Sequence, residues 1–124
     1  MLAAEPEAVD DAARSMASGV RQPRVEGPQT WADGLLTALG EPNFALLQEH
    51  RVCVVTVEEA AMLQAARFFL EHMKIVVEPS AATVLAALRA IAGDLRGKRI
   101  GMILSGGNTD FAWLGAAADQ TDSV

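Results

Sequence analysis

The sequence predicts an α/β domain of about three parallel strands flanked by helices. Two observations carry this. Short β-branched apolar runs alternate with longer stretches of helix formers, the order that gives parallel βαβ pairing. The apolar residues are also small: hydrophobic residues make up 51% of the 124 but aromatics only 5%, which suits helices lying close on a small sheet. One domain is the size expected for a chain of this length.

The elements follow in order. Pro6 suits a first helical turn and Gly19 a stop, so the segment between them, rich in helix formers over residues 8–17, reads as a first helix. It begins so close to Met1 that no strand is expected before it. Residues 20–29 hold two prolines and a glycine and read as a loop. Residues 30–39 resume helical spacing through Leu35, Leu36 and Leu39, until Gly40-Glu41-Pro42 interrupts, and a further short helix is expected over residues 44–49.

Residues 52–57 form the most β-like run, in which Cys53 is expected as a small buried thiol. Thr56 and Glu59 have capping-box spacing at the start of a helix reaching about Met73. A second strand is expected over residues 75–77, then a helix from Glu78-Pro79-Ser80 to about Ile91, and a third strand over residues 99–104. The domain is expected to span residues 1–114, with a small, polar tail over 115–124. One part of a larger sheet is expected to expose a strand edge and apolar surface.

Ten Lys and Arg against sixteen Asp and Glu give a net charge of −6, with no basic cluster among aromatics, which argues against a nucleic-acid partner. The acidic N-terminal segment and the absence of a long apolar run predict neither export nor a membrane anchor. With its lone cysteine, the chain suits a reducing cytoplasm.

Three constellations could carry chemistry. Leu104-Ser105-Gly106-Gly107-Asn108 ends the third expected strand, and from the residues alone it is either a ligand-approach loop or a turn needing positive φ. It is neither a dinucleotide fingerprint nor a Walker loop. Glu5, Asp10 and Asp11 open the first helix, either as oxygen ligands for Mg²⁺ or Ca²⁺ or as acidic residues favoured there by the helix dipole. Glu78 is open to the same dipole explanation. His50 and His72 lack a second ligand at a metal-binding interval and read as surface residues. Of the only two lysines, Lys74 suits a helix C-terminus and Lys98 enters a strand at the end away from the Ser105 loop.

In order and spacing, Glu5-Pro6 to Asp11, Thr30-Trp31-Ala32-Asp33-Gly34, Val55-Thr56 to Glu59, Glu78-Pro79-Ser80 and Leu104 to Asp110 resemble the threonine dehydratase and serine racemase family, from about Ala4 to Asp110. The resemblance is to the C-terminal third of these pyridoxal-phosphate enzymes. It implies part of the three-layer α/β/α fold of the tryptophan-synthase-β type. It also implies deamination of threonine, serine or a related hydroxy amino acid to a 2-oxo acid and ammonia, with racemisation or a non-catalytic complementing module as alternatives, and a homo-oligomer at full length.

The resemblance gives Ser105 the cofactor's pyridine nitrogen, with Gly106, Gly34 and Glu78 near the ring. A neutral hydroxyl partner makes the cofactor a weaker electron sink, which favours prompt loss of a β-hydroxyl. It gives Glu5, Asp11 and the Val9 carbonyl a divalent cation, Mg²⁺ or Ca²⁺. The family's Schiff-base lysine, serine base and phosphate loop have no counterpart in these residues, so no catalytic residue is assigned and no activity is expected from this chain alone. Trp31 stands where an aliphatic residue is usual, and Ala81 where glycine is common.

Overall fold

The structure, a computed structural model, describes residues 1–118. Two strands, β1 (Leu2–Pro6) and β2 (Cys53–Val57), pair in parallel with Leu2 opposite Cys53 and Pro6 opposite Val57. They are the only strands paired among the described residues. Helices α1 (Asp11–Ser18) and α2 (Glu41–Glu49) lie between them in sequence; α3 (Glu59–Phe68), α4 (Pro79–Ala90) and α5 (Trp113–Ala118) follow. The sheet is therefore small and parallel with helices about it, as expected of an α/β chain.

The core is the seam between α3, α4 and the sheet. Met62, Leu63, Ala65 and Ala66 of α3 face Ala81, Ala82, Leu85 and Ala86 of α4, with Phe69 and Trp113 filling the wider gaps. Alanine at buried positions of α4 lets the two helices approach closely, which is how so few large side chains close a core. The α3 axis continues as one wider turn, Phe69–Met73, and stops where Lys74 turns left-handed at φ 58°. The Lys74 Nζ donates to the Glu71 carbonyl at 2.6 Å, the helix-end role expected of it.

Several expectations are corrected. Residues 2–6 are a strand, although no room was expected for one: Leu2, Ala3 and Ala4 pair with β2, and the first helix starts later, at Asp11. Helical spacing over residues 30–39 yields only a single tight turn, Asp33–Leu35. Gly40-Glu41-Pro42 does not break a helix but starts α2, because proline in a first turn forfeits no hydrogen bond. Residues 75–77 and 99–104 are not paired as strands. Period and composition mark a segment as strand-forming, but a ladder needs a hydrogen-bonded partner, and among the described residues neither segment makes one.

The capping box also fails to form. Glu58 takes the cap position of α3, and the Glu59 carboxylate instead accepts from Thr30 Oγ1 at 3.0 and 3.1 Å and from the Trp31 amide at 2.5 Å. Cys53 is exposed rather than buried, since it sits at the start of β2 where the sheet is uncovered. His50 and His72 are on the surface as expected, His72 resting on Phe68 with ring centres 4.8 Å apart.

The exposed edge expected of a partial sheet is present. A groove of about 530 Å³ runs between β1 and residues 98–103, lined by Leu2, Ala4, Val84, Leu88, Ile100 and Met102. Ile103 is 82% exposed beside it. Helix α5 carries the chain past residue 114; of the expected tail, residues 119–124 lie outside the described residues. No described helix is long and apolar enough to cross a membrane.

Candidate cofactor and cation sites

Three sequence-distant segments meet at the N-terminal end of α4. Glu78 precedes the helix, and its backbone amide donates to the Gly106 carbonyl at 3.2 Å. Its side chain reaches the same loop, accepting the Asn108 amide at Oε2 over 3.0 Å. A Cβ on Gly106 would stand 2.5 Å from Glu78 Oε1, so a larger residue there would have to displace the carboxylate.

The Asp33–Leu35 turn closes on α4 from another side. The Gly34 amide is shared between Asp33 Oδ1 at 2.9 Å and Ser80 Oγ at 3.0 Å, and Ser80 donates in turn to Asp33 at 3.4 Å. A Cβ on Gly34 would lie 3.0 Å from Ser80 Oγ and 3.8 Å from Glu78 Oε1. Glycine is thus favoured on two sides of the Glu78 carboxylate. The Glu59 bonds to Thr30 and Trp31 hold the approach to this turn in place, and Ala32 behind it is fully buried.

Of the residues the sequence nominates, Gly34, Glu78 and Gly106 are brought together, with Ser105 exposed on the adjoining loop. Trp31 borders an opening of about 400 Å³ beside them, together with Asp33, Asn108, Thr109 and Trp113. Two contributors escape sequence reasoning. Ser80 shows there only as part of a motif, although a hydroxyl two residues after Glu78 in a first helical turn is well placed to accept from a loop. Glu59 reads there as half of a cap, which hides its part in the loop.

The second set lies where β1 runs into α1. Glu5 is 7% exposed and Asp11 4%, with Val9 buried between them in a tight turn. The Glu5 carboxylate accepts the Ala12 amide at 3.3 Å and the Ala13 amide at 2.5 Å, so a residue upstream of the helix satisfies the open end of α1. Asp11 Oδ2 accepts the Leu39 amide at 3.3 Å. Among the described residues no three His, Cys, Asp or Glu side chains could together hold a metal ion, so a cation here would need backbone oxygen as well.

Burial pushes the Glu5 carboxyl up to about 7 from 4.5; its two amide donors oppose this, and the neighbouring Asp11 and Asp10 charges add to it. The folded value lies above the unfolded one. Glu5 therefore contributes stability that is fully present below about pH 4.5 and lost as pH rises through about 7. In chelator, urea unfolding of the chain should show stability falling by up to roughly 3 kcal/mol between pH 4.5 and 8 on this account. The Glu5→Gln variant should lose most of that slope. Parallel pH profiles for the two proteins would contradict the assignment.

Comparison with known proteins identifies the frame that these sites belong to. A model of the pyridoxal-phosphate dependent enzyme family matches residues 1–106. The chain belongs to that family. An L-threo-3-hydroxyaspartate ammonia-lyase of a Pseudomonas species is 41% identical over 108 residues, 86% of this chain and 34% of the relative. A Dictyostelium discoideum serine racemase is 43% identical over 115 residues, 90% of this chain and 36% of the relative. The solved T.th. threonine deaminase superposes with a TM-score of 0.82 at 43% identity, covering 90% of this chain and 36% of that one.

The chain therefore spans about a third of the length of the curated relatives it matches. The family implies pyridoxal phosphate as cofactor. The fold neighbours match the tryptophan-synthase-β-like expectation of an α/β chain with a small parallel sheet.

Proposed function

We propose that this chain forms the C-terminal third of a pyridoxal-phosphate-dependent ammonia-lyase that converts threonine, serine or a related hydroxy amino acid to a 2-oxo acid and ammonia. The observation that carries the reading is the convergence of Gly34, Glu78 and Gly106 beside Ser105. Residues widely separated in sequence meet with no side chain at 34 or 106, and Ser105 beside them is exposed. Glycine at 34 and 106 lets two loops close on Ser80 and Glu78, and this brings an exposed serine hydroxyl beside them that suits the nitrogen of a flat heterocycle.

When bound, the cofactor supplies an electron sink for the substrate's α-carbon. Ser105 would hold the ring nitrogen through its hydroxyl, a neutral partner that keeps no extra proton there. Gly106 and Gly34 would give the ring backbone to lie against, and Glu78 would border them. The lysine that anchors the cofactor would come from outside these residues: Lys74 is engaged with Glu71, and Lys98 lines the groove beside β1. Glu5, Asp11 and the Val9 carbonyl would hold Mg²⁺ or Ca²⁺, supported by two buried carboxylates on either side of one tight turn and by the oxygen-only set. A homo-oligomer and a reducing cytoplasm complete the reading, the latter supported by the unpaired thiol of Cys53.

Racemisation of serine is the second reading, favoured by the 43% identity to a serine racemase. The test is a chimera in which this chain replaces the matched part of the T.th. threonine deaminase. It should bind pyridoxal phosphate with the visible absorbance of the lysine-bound cofactor and release ammonia from threonine or serine. The 124-residue chain alone should give neither. Racemisation of serine without ammonia release would favour the second reading, and a chimera that folds but binds no cofactor would refute both.

A further inference from the structure

We propose that Glu78 is a positioning residue that clamps the Ser105-Gly106-Gly107-Asn108 loop and so fixes the direction of the Ser105 hydroxyl; this rests on the cofactor reading of Ser105 given above. The first sign is what the side chain forgoes. Glu78 occupies the cap position of α4, where a shorter side chain such as aspartate would accept from the open amides of its own helix. It makes no such bond. Its backbone carbonyl accepts the Ala81 and Ala82 amides at 3.1 Å, and the carboxylate turns away to a loop 30 residues downstream.

The grip is two-sided. The Glu78 amide donates to the Gly106 carbonyl at 3.2 Å, and Glu78 Oε2 accepts the Asn108 amide at 3.0 Å, so one residue holds the loop on both flanks of Gly107. Between these bonds the carboxylate fills the space a side chain at 106 would take, with Oε1, Cδ and Oε2 at 2.5, 2.7 and 2.9 Å from the position of a Cβ. The loop cannot shift toward α4 without striking the carboxylate, and cannot leave without losing both bonds. Ser105 immediately precedes this clamped turn, so its hydroxyl inherits the loop's position rather than setting it.

The carboxylate acts as a shaped acceptor, which predicts an order among variants. Glutamine keeps the length and one acceptor, aspartate falls short by a methylene, and alanine removes the acceptor. In the 124-residue chain without cofactor, amide hydrogen exchange at Asn108 should accelerate about tenfold in Glu78→Ala, less in Glu78→Asp, and within about threefold of the parent in Glu78→Gln. Unchanged exchange in Glu78→Ala overturns the clamp.

Gly106→Ala should lower the melting temperature in the parent and be largely tolerated when combined with Glu78→Ala, because the collision partner is then gone. Equal cost in both backgrounds also overturns it. In the chimera with the T.th. threonine deaminase, Glu78→Ala should weaken pyridoxal phosphate binding about tenfold, with Glu78→Gln restoring most of it. No change in cofactor affinity overturns the positioning role. If Ser105→Ala leaves the cofactor undisturbed while Glu78→Ala still loosens Asn108, the clamp stands and the cofactor reading of Ser105 fails.

Discussion

Replacing Gly107 by alanine is expected to destabilise the chain by roughly 2–3 kcal/mol. An added Cβ would stand 2.6 Å from the Val76 carbonyl oxygen and 3.4 Å from its carbon, and that obstacle is backbone. A flexible side chain could swing aside; the carbonyl of residue 76 can move only if residues 75–78 move, and Glu78 is tied to Gly106 and Asn108. Gly93 is the control, because nothing lies within 4 Å of its Cβ position and its φ is not positive. Gly93→Ala should leave the urea midpoint unchanged or slightly raised through the less flexible unfolded chain. Equal midpoints for the two variants would contradict the close packing of the loop on residue 76.

The second large effect belongs to Ser105. In the chimera that restores the rest of the enzyme, Ser105→Ala should lower kcat/KM for ammonia release about ten- to a hundredfold, the scale of losing one hydrogen bond to a bound group. Ser105→Asp should act differently. A carboxylate would hold a proton on the ring nitrogen, strengthen the electron sink and shift the balance from loss of the β-hydroxyl toward proton return at the α-carbon. The ratio of racemised to deaminated serine should therefore rise in Ser105→Asp and not in Ser105→Ala. A ratio that moves equally in both would detach the hydroxyl from the nitrogen.

The segments that meet around Glu78 and around Glu5 carry local signatures. Glycine pairs after an apolar run, a Glu-Pro-Ser helix start and clustered acids beside Glu5-Pro6 are visible without knowing what they face. What was not legible depends on tertiary partners. Glu59 has the spacing of a cap, but a loop amide and hydroxyl at Trp31 and Thr30 compete for its carboxylate and win. Residues 30–39 have helical spacing, yet Gly34 must lie against Ser80, and the chain makes a single tight turn.

Strand character was readable and strand pairing was not. Residues 2–6 are too short and too close to an acidic helix start to signal a strand, and become one because β2 offers an edge in register. Residues 99–104 carry a stronger β signal and stay unpaired among the described residues, separated from β1 by the groove. Pairing is a property of two segments, and one segment's period cannot report on the other. The same holds for Cys53: its neighbours are apolar, but the sheet above it is uncovered.

The most direct measurement is the ¹⁵N spectrum of pyridoxal phosphate labelled at its ring nitrogen, recorded in the chimera and in its Ser105→Ala variant. An unprotonated nitrogen whose resonance moves when the hydroxyl is removed is the result predicted here. A protonated nitrogen, or one indifferent to residue 105, would contradict it.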